Sequence, residues 1–196
     1  MPRYSDLDAY VDSETGVLKN LLGIREQALL EASEADLVSI RSLELAISPI
    51  RGSFDLLHLR KIHWHLFRDV YAWAGELRTV DISKGDNLFA HHAFLESAAR
   101  PIFERLAVEN YLAGLDAGAF CARAAFYLGE LNALHPFREG NGRTQREFIQ
   151  LLARRNGYLL LWKKTSRDEL LRASIASFRG DSTSLTAIIG VCLRDT

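Results

Sequence analysis

Two helical runs joined by a stretch that cannot be helical constrain this chain more than any other feature. Apolar residues recur at helical spacing from about residue 118 to 134, and again from 142 to 156, at Phe148, Ile149, Leu151 and Leu152. Pro136 cannot extend the first run, because its nitrogen carries no hydrogen. Glu139 to Gly142 has the composition of a loop. The segment His135-Pro136-Phe137-Arg138-Glu139-Gly140-Asn141-Gly142-Arg143-Thr144-Gln145-Arg146 therefore reads as a loop entering a helix N-terminus. Such an entrance offers unpaired backbone N–H groups and the positive end of the helix dipole, which suits a phosphate.

The rest of the chain reads as helices around this junction. A helical pattern runs from about 25 to 46, with Leu29, Leu30, Leu37, Ile40 and Leu43 as its apolar stripe. A second runs from Asp55, an N-cap, to Tyr71, with a stripe from Leu56 to Val70. Further patterns cover about 93–113, 166–178 and 183–194. Residues 79–90 differ: Val80 and Ile82 alternate, Lys84-Gly85-Asp86-Asn87 supplies a turn, and Leu88 follows, as in a hairpin. It is the only credible strand pair in the sequence, and it should lie on the helical body, since an isolated hairpin is not stable alone. The expectation is an all-α fold, a helical bundle with one short β-hairpin flap beside the site. Residues 1–196 read as one domain, with 1–20 an extended N-terminal arm.

Composition narrows the function. The 196 residues carry a net charge of -1, too little positive field for direct nucleic-acid binding to be the main role. No stretch approaches the roughly 20 apolar residues of a membrane helix, and the first twelve residues lack the apolar run of a signal peptide. These features read as a soluble cytoplasmic protein, or one whose export uses something other than a cleaved leader. Cys121 and Cys192 lie in apolar helical surroundings, as buried free thiols, and show no zinc-site spacing.

The junction holds the chemistry. His135 is a candidate general base, since an imidazole can be neutral at cellular pH. Glu139 offers a carboxylate of the kind Mg²⁺ takes together with phosphate oxygens. Gly140 and Gly142 let the backbone approach a phosphate, and Asn141 offers an amide hydrogen bond. Arg143 and Arg146, three apart, share a helix face from which guanidinium groups can clamp terminal phosphates. Phe137 points into the core and pins the loop. His58, His63, His65, His91 and His92 read as structural; His63 and His65, two apart, face different sides of one helix and make no metal pair.

These residues resemble the signature of the Fic family, HxFx(D/E)GNGRxxR, with every fixed position met by His135, Phe137, Glu139, Gly140, Asn141, Gly142, Arg143 and Arg146. The likeness extends to Thr15–Ile24 and to Ile62–Gly75, and so over nearly the whole chain. It implies a Fic fold and transfer of AMP from ATP to a Tyr, Thr or Ser hydroxyl of a target protein. His135 would be the base and Glu139 the Mg²⁺ ligand. Phe137, Gly140, Asn141, Gly142, Arg143 and Arg146 would form the ATP site. The hairpin would be a flap aligning the target by backbone pairing, with Lys84 and Phe89 as contacts. The C-terminal segment Arg172–Phe178 would wall the base pocket.

Family members that inhibit themselves carry (S/T)xxxE(G/N). Here only Glu109 and Glu139 precede Asn or Gly, and the residues four before them are Arg105 and His135. The resemblance therefore points to the toxin subclass restrained by a small antitoxin, which would set a glutamate against Arg146 in trans. In that subclass, gyrase B or its topoisomerase IV counterpart is the kind of target expected. Two alternatives stand beside this: transfer of another phosphate-containing group, and a catalytically silent binding module. The phosphate-transferring Doc-like branch has lysine at the position of Gly142, which argues against it.

Overall fold

The computed structural model describes residues 8–84 and 87–195, apart from the side chains of Lys84 and Asn87. Its helices are α1 (Gln27–Ile47), α2 (Leu56–Phe67), α3 (Leu95–Val108), α4 (Ala117–Leu134), α5 (Asn141–Arg155), α6 (Arg167–Phe178) and α7 (Thr183–Cys192). Its strands are β1 (Ser83–Lys84), β2 (Asn87–Leu88), β3 (Tyr158–Leu160) and β4 (Leu193–Asp195). The mostly helical fold with its antiparallel hairpin agrees with the sequence reading.

Three of the helices, α2, α4 and α6, start at a side-chain cap. Asp55 accepts from the His58 backbone N–H at 2.7 Å, and Asp116 from that of Ala119 at 2.8 Å. Ser166 and Glu169 form a reciprocal capping box at α6. The central helix is α4, packed against α3, α5, α6 and α7. Phe120, Ala124, Ala125, Leu128 and Leu131 are all buried, so its apolar surface wraps more than one side. α2 packs between α1 and α5. The core thus holds α4 and α5 rigidly on either side of the junction. Cys121 and Cys192 are buried and unbridged.

Three expectations need correction. In α1 the buried line is Leu30, Glu34, Val38 and Leu45; Leu29, Ile40 and Leu43 are exposed and Leu37 half-buried. The helix turns its acid-containing line inward because Glu34 has a cationic partner there, described below. The pattern at 93–113 stops being helical at Val108, because Asn110, Tyr111 and Leu112 adopt φ of 50°, 54° and 64°. The Asn156 side chain holds that turn, donating to the Tyr111 carbonyl at 2.9 Å. The final helix ends at Cys192, and Leu193–Asp195 instead pair antiparallel with Tyr158–Leu160. Leu160 and Leu193, partners in that register, are both buried, which draws the C-terminal segment onto the body. The hairpin is therefore not the only strand pair.

No helix among the described residues is long and apolar enough to cross a membrane.

Candidate active site

The loop between α4 and α5 is fixed from three sides, and each support is a specific polar or aromatic contact. His135 closes α4 in the left-handed region, at φ 45°. A residue with a Cβ gives up about 1–2 kcal/mol there, a cost that surrounding contacts must offset. Its Nδ1 lies 3.1 Å from the Asn132 carbonyl. A carbonyl only accepts, so the Nδ1 proton points at it and the neutral ring carries its lone pair on Nε2. The Phe89 ring stacks on the imidazole at 3.8 Å between centroids and 18° between planes. Phe89, a candidate flap contact for a target, thus also braces the candidate base. The side chain of Lys84, the other flap candidate, lies outside the described residues.

Arg78 ties the flap to the junction, and the sequence reading did not single it out. Its side chain is wholly buried. Nε donates to the His135 carbonyl at 2.9 Å, Nη1 to Val80 at 2.7 Å, and Nη2 to the Ala90 carbonyl. Its backbone N–H donates to Pro136 at 2.9 Å. One guanidinium therefore holds both ends of the hairpin and the carbonyl of the candidate base. A lone arginine at the start of a strand pattern gives no periodic signal by which it could be found.

The second support is His63, on α2. Its Nδ1 accepts the Gly75 N–H at 2.8 Å, so its Nε2–H donates, at 3.0 Å, to the Glu139 carbonyl. Its ring stacks on Phe137 at 3.9 Å. Burial pushes its pKa down to about 3. Unfolded, the ring titrates near 6.5. Between those values only the unfolded chain takes up the proton, so acid favours unfolding; the stability His63 contributes is whole above about pH 6.5 and lost as pH falls towards 3. Burial lowers His58 in the same direction. Stability should therefore fall with acid at up to about 1.4 kcal/mol per pH unit for each such histidine. NMR titration should find the His63 ring neutral at pH 5; a charged ring there would refute the reading.

The third support comes from the N-terminal arm. Arg138 is buried, and its Nε donates to Asp8 Oδ2 at 2.8 Å. The carboxylate is buried as well, with its side chain 5% exposed.

The side chains of Phe137 and Asn141 turn inward. Phe137 is 1% exposed and stacked on His63. The Asn141 side chain is spent on Phe137: Oδ1 accepts its N–H at 2.9 Å and Nδ2 donates to its carbonyl at 2.7 Å. Only the backbone N–H of Asn141 remains for an anion. Gly140 is required by the fold, with φ 82° and an added Cβ only 2.3 Å from the Phe67 ring. Gly142 is not: its nearest neighbour would be Arg146 Nη1 at 3.5 Å, an ordinary contact.

The entrance to α5 can take an anion. No side chain caps it, and its first internal bond is Thr144 N–H to Gly140 O at 3.1 Å. Among the described residues, nothing accepts from the N–H groups of Asn141, Gly142 and Arg143. Arg143 lies over the Phe67 ring, 4.8 Å from its centroid, and donates through Nη2 to Glu34 Oε1. Glu34 is buried and its Oε2 accepts from the Tyr71 hydroxyl. Burial first, and Glu34 second, push the Tyr71 pKa up, so the phenol stays a donor. Arg146 has no hydrogen-bond or ion-pair partner among the described residues; burial lowers its pKa, and the neighbouring Arg143 does so further. Two arginines thus stand one turn apart, one neutralised by a buried acid and the other not. Glu139 is half-exposed, and its Oε1 accepts the Gly140 N–H at 2.9 Å.

Leu88, Phe89 and Ala90 line a groove of about 490 Å³ with residues of α3 and α4 and Phe178. Of the segment 172–178, only Phe178 reaches it, edge-on to Phe89 at 6.2 Å.

Comparison with known proteins agrees with this geometry. The model of the Fic/DOC family matches residues 53–153. The protein adenylyltransferase VbhT of Bartonella schoenbuchensis is 55% identical over 182 residues, covering 93% of this chain and 38% of that protein. The probable protein adenylyltransferase Fic of Escherichia coli is 38% identical over 182 residues, covering 92% of this chain and 90% of that one. The N-terminal Fic domain of a VirB-translocated Bep effector from Bartonella quintana, solved with bound ADP, superposes with a TM-score of 0.88 at 28% identity, over 95% of each chain. With every fixed motif position present and its loop framed by two packed helices, this chain belongs to the Fic/DOC family.

Proposed function

We propose that this chain is a protein adenylyltransferase, moving AMP from ATP to a hydroxyl of a target protein. The observation that carries the reading is one junction that sets an imidazole with its lone pair on Nε2 beside an uncapped helix N-terminus bearing Arg143 and Arg146. The relatives' names support the same reaction. The target hydroxyl gives its proton to His135 Nε2 as its oxygen bonds to the α-phosphorus. The bond from that phosphorus to the bridging oxygen breaks, and pyrophosphate leaves with the negative charge. The N–H groups of Asn141, Gly142 and Arg143 stabilise the phosphate oxygens, and Arg143 and Arg146 the leaving group.

Glu139 fits a magnesium ion: a half-exposed carboxylate beside a phosphate site is the single hard oxygen ligand that Mg²⁺ takes with phosphates. When bound, the ion would neutralise phosphate charge. Arg146, with no carboxylate at ion-pair distance among the described residues, is where a glutamate from a small antitoxin would compete with the γ-phosphate. A topoisomerase subunit of the gyrase B kind is the target class this toxin reading favours. Mass spectrometry of a bacterial lysate treated with the chain, ATP and Mg²⁺ tests the reaction. The reading expects peptides heavier by AMP; peptides heavier by phosphate alone would replace it with the kinase reading.

Glu34 orients Arg143 in this scheme. Glu34→Gln keeps an acceptor for Tyr71 but releases the guanidinium from its charged partner. ATP binding then has to order a long side chain, which costs about 0.5–1.5 kcal/mol, and KM for ATP should rise by about two- to tenfold. A fall in KM would mean that Glu34 instead competes with phosphate for Arg143.

A further inference from the structure

We propose that Asp81, His91 and His92 form a binding site for a transition-metal ion, of the Zn²⁺ or Ni²⁺ type, that closes the root of the hairpin. Asp81 stands just before β1, and the histidines stand just after β2. His91 Nε2 lies 3.1 Å from Asp81 Oδ2, and His92 Nδ1 lies 3.0 Å from Asp81 Oδ1. All three ligand atoms lie within 4.8 Å of one another. Ligands bonded to one zinc at about 2.0–2.2 Å stand roughly 3.0–3.5 Å apart; each histidine nitrogen already stands at such a distance from one Asp81 oxygen, His91 from Oδ2 and His92 from Oδ1, so a shared ion is held by both oxygens or by a small turn of the carboxylate. The nitrogen pair closes the remaining distance by small rotations of side chains that are 36–52% exposed.

The donor set selects the metal. Two imidazoles and one carboxylate suit zinc and nickel, whereas Mg²⁺ prefers oxygen alone. The site is therefore chemically separate from Glu139. Three protein ligands leave room for water or a further ligand.

The surroundings set its strength. The His92 backbone N–H donates to Asp81 Oδ1 at 2.8 Å and fixes the carboxylate. Two features oppose binding. The buried Arg78 guanidinium lies 3.6 Å from Oδ1. His91 Nδ1 also accepts the Ala93 N–H at 3.2 Å, and a metal on Nε2 moves the ring proton to Nδ1 and breaks that bond. The expected affinity is accordingly moderate.

An ion at this place would tie together the two ends of the segment that carries Phe89, the ring braced against His135. The bond nearest the root is long, from Phe89 N–H to Ile82 O at 3.5 Å. Metal should shorten it and slow exchange of that amide.

The test uses Co²⁺ as a spectroscopic probe and Zn²⁺ in calorimetry on the full chain. One equivalent should bind, with visible Co²⁺ bands, and His92→Ala and Asp81→Asn should each weaken binding by at least about tenfold. Hydrogen exchange at Phe89 should slow severalfold with Zn²⁺ in the wild type and be unchanged in His92→Ala. Absence of binding would overturn the proposal, as would binding of equal strength in both variants. Circular dichroism confirms that the variants fold; these exposed side chains are not part of the core.

Discussion

Replacing Asp8 by Ala should destabilise the fold by about 3–5 kcal/mol, the cost of breaking a buried ion pair by removing one of its members. Arg138 is held inside the molecule, and the acid that meets it comes from the far N-terminal end of the sequence. The contact therefore closes the arm over the very loop that carries His135 and Glu139. Once Asp8 is gone, the guanidinium loses the carboxylate that Nε donates to, and the arm loses its hold on the loop. Urea unfolding followed by circular dichroism measures the loss. A second substitution separates charge from packing: Arg138→Met in the Asp8→Ala background should recover most of the loss, since an apolar side chain of similar length no longer needs a counter-ion. If Asp8→Ala alone unfolds with unchanged midpoint and slope, the arm does not support the site.

Gly140→Ala and Gly142→Ala should have opposite signatures, though a single residue separates them in one motif. At Gly140 the backbone is left-handed and an added methyl group meets the buried Phe67 ring. The conformational cost of about 1–2 kcal/mol adds to overpacking of about 1–3 kcal/mol, so this variant should lose roughly 2–5 kcal/mol. At Gly142 the space is open and the backbone is helical. Alanine is favoured over glycine in a helix by up to about 1 kcal/mol, so stability should hold or rise slightly. Yet ATP binding should fall markedly, because a methyl group would stand where the N–H row meets a phosphate. Thermal unfolding and nucleotide titration, run on both variants, read the two effects separately. A Gly142→Ala protein that binds ATP as well as the wild type would remove the backbone from the phosphate site.

The contrast between these glycines marks where sequence reading stops. The junction was legible because proline, glycine and helical spacing each act locally. For the same reason the α4 and α6 boundaries lie within about a residue of their expected positions. Supports that arrive from elsewhere in the chain were not legible. His63, Arg78 and Asp8 reach the loop across 76, 57 and 130 positions, and nothing in the spacing of a motif announces a partner so far away. Phe137 and Asn141 belong to the motif, but their side chains are buried in it, holding its shape rather than lining its surface. Glu34 did leave a trace. It stands on the line Leu30, Val38, Leu45, and an acid within an apolar stripe implies a buried cation. The neighbouring stripe with Leu29, Ile40 and Leu43 is as apolar and carries no acid among those positions, which concealed it. The helical pattern over about 183–194 overruns the helix by two residues, because short apolar runs fit either structure, and pairing with Tyr158–Leu160 decides the matter.

The account rests on His135 as the proton acceptor in a transfer of AMP. It is tested most directly by incubating the purified chain, freed of any bound regulator, with bacterial lysate, Mg²⁺ and ATP labelled at the α-phosphate. Label should pass to protein, and His135→Ala should lower the rate by about 10²–10⁴, the usual worth of a positioned general base, while ATP binding is retained. No transfer by the wild type, or equal transfer by wild type and His135→Ala, would contradict it.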